Sequence, residues 1–594
     1  MRHRCAAWIR ICSLTMGLAL PTGVGARPAL AEEGKATTPA GEEVKAGKTA
    51  ESAAPAAAAA TPAPDPTSSP TKPDATGASY TGATTGAALS KEGTGDAAKV
   101  TPASQLQDLK QLKIAVNTMW ALLAGFLVMF MQAGFALLET GLCRAKNVAH
   151  TMAMNFVIYG VGLLAFWACG FAFQMGGVGA IGYFDGPKVL DQIWTMDIGG
   201  KAWGLLGHRG FFLSGMANDA SVLTMFLFQM VFMDTAATIP TGAMAERWKF
   251  SAFIVYGIFI AGFLYPMYAC WVWGGGWLAN LGTNYGLGNG HIDFAGSSVV
   301  HMTGGMTALA GAIILGPRIG KFNKDGSANV IPCHNVAQVV LGTLILAFGW
   351  FGFNGGSTLA GNDLRISAVC VNTMLASAGG CMSAVFYMWA VYGKPDPTMG
   401  CNGLLAGLVA ITAPCAFVSA PGAVIIGTMA GVLVIWAVLF VERVLKVDDP
   451  VGAVAVHGVN GAFGCICVGL FATGEYGGGY NAVADKVPTG LFYGGGVSQL
   501  VPQLIGVGAN FLFVFPTALL FFFIVEKTMG NRVSARVEIE GLDIHEMGIA
   551  GYTMEETRTI EQAGHEHLST YGPGVPKGTK NGHGTTPQVP TRTH

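Results

Sequence analysis

Charge is what this chain lacks. Only 12% of its 594 residues are Asp, Glu, Lys or Arg, half the share of about 25% found in soluble globular proteins. The formal net charge is −1, so there is no basic excess to bind nucleic acid. The polar stretches carry no Walker, dinucleotide-binding or zincin pattern, and no enzymatic activity or cofactor is expected. Disulfide scaffolding is absent too: of 12 cysteines most lie inside apolar runs (Cys169, Cys370, Cys465, Cys467), where the thiol acts as a small hydrophobe. In place of charge stand 51% hydrophobic residues and 85 glycines, the composition of a polytopic helical membrane protein.

Residues 1–31 read as a secretory signal peptide. Arg2, Arg4 and Arg10 form its basic start, Ile11–Leu20 a short apolar core and Ala29-Leu-Ala31 a small-residue cleavage site. An uncleaved anchor is the alternative, but the core is too short to span. Residues 32–111, dominated by Ala, Pro and Thr, bury too little apolar surface to offset the entropy of ordering, so a disordered exported segment is expected. A membrane domain over 112–527 and a cytoplasmic tail over 528–594 follow.

Eleven apolar spans are expected, near 115–139, 149–174, 219–244, 250–273, 294–316, 335–355, 365–392, 400–418, 422–442, 451–472 and 501–526. The stretch 175–218 is too polar and glycine-rich to be another. Thirteen Lys and Arg residues, among them Arg144, Arg247, Arg318 and Arg532, fall in short connections on one side and five on the other. The richer side is read as cytoplasmic, with the N-terminus outside and the C-terminus inside. An exported signal peptide requires the same orientation.

One stretch occurs twice. Asp293-Phe-Ala-Gly296-Ser-Ser-Val-Val300-His301-Met-Thr-Gly-Gly305 and Asp449-Pro-Val-Gly452-Ala-Val-Ala-Val456-His457-Gly-Val-Asn-Gly461 both fit D-x-x-G-x-x-x-V-H-x-x-x-G. Each histidine lies eight residues beyond its acid, about 12 Å along a helix, near the middle of an apolar layer roughly 30 Å thick. The motifs open spans five and ten, which run in opposite directions. Spans 1–5 and 6–10 are therefore expected to be inverted halves, with span eleven outside the repeat.

Two imidazoles at membrane depth are costly and usually functional. Core histidines satisfied by backbone carbonyls are the plain alternative, against which the duplication argues. Joined by a hydrogen bond, the rings offer one donor and one acceptor to a small polar molecule, or a route for a proton. A haem carrier with two axial histidines is another reading, although only one suitable pair is present. Asp293 and Asp449 either cap helices or, at the outer mouth, attract a cation. Trp273, Phe228, Phe232, Trp350 and Phe353 come from three spans to the same outer side. Singly they fit an interfacial aromatic belt; together they offer ring faces to an ammonium-like cation, with Ser357 as a hydroxyl acceptor.

From about Trp120 to Tyr552 the chain resembles the ammonium transporters, the family of ammonium, methylammonium and Rhesus permeases. The resemblance rests on Gly141-Leu-Cys-Arg144-Ala-Lys-Asn147, Gly242-Ala-Met-Ala-Glu246-Arg247, the Asp293–His301 stretch, Gly349-Trp-Phe-Gly-Phe-Asn354, and Asp448-Asp-Pro450 through His457-Gly458. It implies a homotrimer in the cell inner membrane, each subunit with its own narrow pore. By motif, Trp273, Phe232 and Ser357 match the ammonium-recruitment site, and Phe232 and Phe353, with Phe228 beside them, match the rings that block the pore. His301 and His457 match the paired pore histidines, and Asp293 the acid that holds the surrounding backbone. The implied mechanism recruits ammonium, removes its proton, conducts ammonia and conveys the proton separately. Potassium, having no proton to lose, is rejected.

Glu139 and Asp234 stand out as carboxylates inside apolar runs, and hydrogen bonds to neighbouring helices are the expected explanation. Residues 537–552 resemble the family's ordered tail, near which a PII-type nitrogen-regulatory protein docks in bacterial relatives. Beyond 560, His565, His567, His583 and His594 sit among Gly, Thr and Pro, and a disordered end rather than a metal site is expected. A further reading is an ammonium sensor, whose signalling is expected to run through a separate partner.

Overall fold

Ten helices among the described residues are long and apolar enough to cross a membrane, and an eleventh is shorter. In chain order they are α1 (Gln105–Leu142), α2 (Ala145–Met175), α3 (Ala220–Met244), α4 (Phe250–Trp273), α5 (Ser297–Leu315), α6 (Val336–Gly355), α7 (Arg365–Tyr392), the short α8 (Pro397–Thr412), α9 (Ala420–Val444), α10 (Val454–Phe471) and α11 (Leu500–Thr528). This computed structural model describes residues 102–178, 181–186, 190, 192–484 and 486–552. The expected signal peptide, most of the exported segment and the histidines beyond 560 lie outside the described residues.

The helix starts follow from local chemistry. Asp219 accepts from the Ser221 N–H at 2.9 Å before α3, and Asp396 accepts from the Thr398 N–H at 2.8 Å before α8, whose first residue is Pro397. At 16 residues, α8 rises about 24 Å, less than the apolar layer requires.

The first helix begins earlier than the expected boundary at 112. Helical backbone starts at Pro102, so 102–111 belong to the folded body rather than to a disordered segment. Gln105-Leu-Gln-Asp-Leu-Lys110 are mostly good helix formers, and Lys110 pairs with Asp185 at 3.1 Å. Among the described residues, the polar stretch between α2 and α3 carries a small β-hairpin, β1 (Ile193–Ile198) against β2 (Lys201–Gly207).

The glycines let backbones touch, as membrane helices without a hydrophobic drive between them require. A Cβ on Gly342 of α6 would lie 2.5 Å from the Leu138 nitrogen of α1, and one on Gly305 of α5 would lie 2.2 Å from the Gly458 nitrogen of α10. Gly305→Leu is therefore expected to prevent α5 and α10 from closing. The check is detergent extraction and size-exclusion profile, with little monodisperse protein expected.

The two motif helices pass in opposite directions. Ser297 at the start of α5 lies beside Gly461 and Gly464, Gly305 meets Gly458, and Arg318 just after α5 bonds Asp448 just before α10. The last contact belongs to a buried ion network. Arg318 grips both oxygens of Asp448 at 2.9 and 3.0 Å and reaches Glu246 at 2.9 Å, and Arg144 pairs with Glu246 from α1's end. Burial alone would raise the Asp448 carboxyl, but Arg247 and Arg318 hold it well below the usual carboxylate range. Its stabilising contribution is thus complete above about pH 4 and is lost only in stronger acid.

The tail closes over the same arginine-rich face. A short helix α12 (Ala535–Glu540) places Glu538 between Arg532, at 2.7 Å, and the Ile319 N–H, also at 2.7 Å. Asp543 accepts from the His150 N–H at 3.0 Å, and Glu546 from the Phe250 N–H at 2.9 Å. The tail thereby ties together the α1–α2, α3–α4 and α5–α6 connections.

Candidate functional site

The repeated motif builds the site through its aspartates. Asp293 is buried, and its carboxylate accepts five hydrogen bonds: from the Gly296 and Ser297 N–H groups at one oxygen, both 2.8 Å, and from the Ser298 N–H and hydroxyl, both 2.7 Å, and the Val299 N–H, 2.9 Å, at the other. Asp449 repeats the pattern more loosely, accepting from Gly452 at 3.0 Å and Val454 at 2.8 Å. The shared glycine has a physical cause: Gly296 has φ +117° and Gly452 +80°, a region that side chains disfavour.

Past each acid the helix opens with a widened, π-type turn, Ser297–Met302 and Val454–Val459. The Gly296 carbonyl accepts from both Val300, at 2.9 Å, and His301, at 3.0 Å. Side-chain amides steady both turns: Asn510 donates to the Ser298 carbonyl at 3.2 Å and Asn460 to that of Ala455 at 2.9 Å. Such turns often mark functional sites, and here they carry both histidines inward. His301 Nδ1 lies 3.1 Å from His457 Nδ1. One nitrogen donates and the other accepts, so neutral rings leave one Nε2 bare and the other protonated. Atoms in hydrogen-bond contact leave no room for a haem between them, which removes that alternative.

An aromatic column leads to the pair. Phe228 and Phe232 have ring centroids 4.6 Å apart, Phe232 and Phe353 4.2 Å, and Phe353 and His301 5.3 Å. Above it, Trp273, Phe228, Phe232 and Ser357 line a vestibule of about 300 Å³. Trp273 meets Phe232 edge to face at 6.1 Å and donates its indole N–H to the Asp293 carbonyl at 2.7 Å. Ser357 donates its hydroxyl to the Phe353 carbonyl at 2.7 Å, which leaves oxygen lone pairs for a donor in the vestibule. Asp293 itself is not among the residues lining that cavity, but its carbonyl holds Trp273, which does line it.

The "Ammonium Transporter Family" profile matches residues 119–552. Ammonium transporter Amt2 of Archaeoglobus fulgidus is 46% identical over 442 residues, covering 74% of this chain and 89% of that protein. The chain belongs to the ammonium transporter family. Amt1 of Haloferax mediterranei is 38% identical over 451 residues, covering 74% and 79% of the two chains. A solved structure described as "Sensor Amt Protein" has TM-score 0.63 at 37% identity and covers 74% of this chain and all of its own. Candida albicans Mep2 has TM-score 0.59 at 28% identity over 71% and 86%. This ammonium transporter is thus a multi-pass membrane protein and not an enzyme.

Trp350, expected with the outer aromatics, instead stacks on His301 at 5.3 Å, three residues and one helix face from Phe353. Phe135, which packs on His457 at 6.2 Å, and His291 were not singled out from sequence, and Phe135 left no signal there. His291 donates toward the Ser298 hydroxyl at 3.1 Å, while its Nδ1 is buried without a partner. Burial pushes His291 down to about 4. His291, Asp293 and Cys465 bring potential ligand atoms within 4.8 Å of one another, but the Asp293 oxygens are already engaged by five donors.

The two intramembrane carboxylates differ. Glu139 accepts from Asn155 at 2.8 Å and Thr241 at 2.7 Å, the interhelical bonding expected of it. Asp234 is buried, and its Oδ1 has no partner among the described residues, so the expected interhelical bond is not made there. Two residues past Phe232, it points about 200° away from the aromatic column.

Proposed function

We propose that this transporter recruits ammonium in the vestibule, removes its proton below Phe232 and Phe353, and conducts ammonia past His301 and His457 while the proton crosses separately. The observation that carries this reading is the unbroken column from Trp273 through Phe232 and Phe353 to the histidine pair. Trp273 and the phenylalanines offer ring faces to a desolvated cation, and Ser357 offers lone pairs. Below them the path is too apolar for an ion, so an ion without a transferable proton, such as potassium, stops.

The vestibule is read as the outer mouth and the arginine-rich face as cytoplasmic, in the inner membrane of the cell. The opposed α5 and α10 support two inverted five-helix halves with α11 added. Residues 1–31 are proposed as a signal peptide, 32–101 as an exported segment and the chain beyond 552 as a cytoplasmic end. The subunits are proposed to form a homotrimer, and a PII-type partner to dock at the arginine-rich face where the tail lies.

Ammonium-evoked current in proteoliposomes tests the proposal. Current that saturates with ammonium and is absent with potassium is expected; correctly folded protein giving neither current nor ammonia flux would overturn it. The likeness to the structure described as "Sensor Amt Protein" favours a second reading, in which occupancy of the same site signals through a partner. Ammonium binding with no flux, together with ammonium-dependent capture of a cytoplasmic partner, would favour it.

A further inference from the structure

We propose that Glu139 is the residue that takes the proton from the histidine pair on its way to the inner side, an assignment resting on the separate proton route proposed above. Phe135 packs its ring on His457. Glu139 is four residues further along α1, on the same face and about 6 Å nearer the arginine-rich end. It meets α3 and the approach to α10 together: a Cβ on Gly242 would lie 2.9 Å from Glu139 Oε1 and 2.5 Å from Val451 Cγ2. Val451 lies between Asp449 and His457 in sequence, so the carboxyl sits beside the segment leading from the pair to the arginine-rich face.

The bonds made by Glu139 suit a proton acceptor rather than a strut. Asn155 and Thr241 both donate to Oε2, which fixes the group and turns Oε1 toward Gly242. Asp449 then lines a small pocket of about 30 Å³ with Lys321 and Glu442, room for a water. The transfer balances. Ammonium loses a proton and leaves as ammonia; a proton binds the bare Nε2 of His301, and the shared hydrogen moves from His301 Nδ1 to His457 Nδ1. Glu139 and His457 are not in direct hydrogen-bond contact, so water must carry the proton. The Nε2–H of His457 breaks as a water is protonated, that water gives a proton to form an O–H on the Glu139 carboxylate, and Glu139 passes it through water to the side of the inner pocket.

Glu139→Gln tests this, because its amide oxygen can still accept from Asn155 and Thr241. In proteoliposomes, ammonium-evoked current is expected to fall at least tenfold while total ammonia taken up, assayed in the lysed vesicles, stays within twofold. Glu139→Asp, which keeps the acid, should recover several-fold more current than Glu139→Gln. Unchanged current in Glu139→Gln, or equal current loss in both variants, would overturn the assignment. Independently of how either variant folds, ammonium-induced infrared difference spectra of the wild-type protein should show a change in a carboxylic-acid C=O band, and its absence would overturn the assignment as well. A wild-type protein that passes ammonia without current would instead remove the separate proton route itself.

Discussion

Current through the double variant His301→Ala with His457→Ala is expected to fall below a tenth of wild type, and selectivity for ammonium over potassium to weaken. The two imidazoles are the polar groups at the end of the aromatic column, and they meet through Nδ1 atoms 3.1 Å apart. Without them the cavity is walled by Trp350, Phe353 and Phe135, with no nitrogen to accept a proton. An unpaired charge entering such a layer is strongly disfavoured. Solid-supported-membrane currents and stopped-flow ammonia flux, measured on the same preparation, separate the two species. Wild-type current and selectivity in the double variant would remove the histidines from the mechanism.

A large loss is also expected for Asp293→Asn, through structure rather than substrate contact. Two donors converge on one carboxylate oxygen and three on the other. An amide supplies one acceptor and turns an NH₂ toward the remaining donors, leaving at least two buried hydrogens unpaired. At about 1–3 kcal/mol for each such group, destabilisation of about 2–6 kcal/mol follows. The turn that carries His301 and the carbonyl that holds Trp273 should loosen together. Thermal unfolding in detergent, read beside the current, decides the case: transport lost with the midpoint unchanged would mean that the carboxylate acts on the substrate.

The spans were legible because apolar length is the strongest signal a membrane chain carries, and the histidines because their motif occurs twice. Local chemistry that does not depend on hydropathy was less visible. Gln105–Lys113 is too polar to read as the start of a spanning helix, yet Lys110 finds Asp185 and the helix extends. The widened turns escaped because nothing in the spacing of Ser297–Met302 separates a five-residue reach from a four-residue one; Asn510, which steadies the first, lies more than 200 residues away in sequence. Glu139 and Asp234 look alike as lone acids in apolar runs. Only the helix neighbours divide them: Asn155 and Thr241 engage one, and Oδ1 of the other has no partner among the described residues.

The contact between His301 and His457 joins like atoms, and such a contact has a polarity. A single hydrogen sits nearer one ring or the other, so the pair stores a direction. Any proton that crosses it leaves that direction reversed, and a second proton travelling the same way finds hydrogen where it needs a lone pair. On the proposed proton route the pair would behave as a ratchet tooth that must be set back after each stroke. An ammonia molecule, which carries both donors and an acceptor, is suited to exchange hydrogens with the two Nε2 atoms and reset it. Charge would then move in step with ammonia, one for one, without any part of the protein having to change shape.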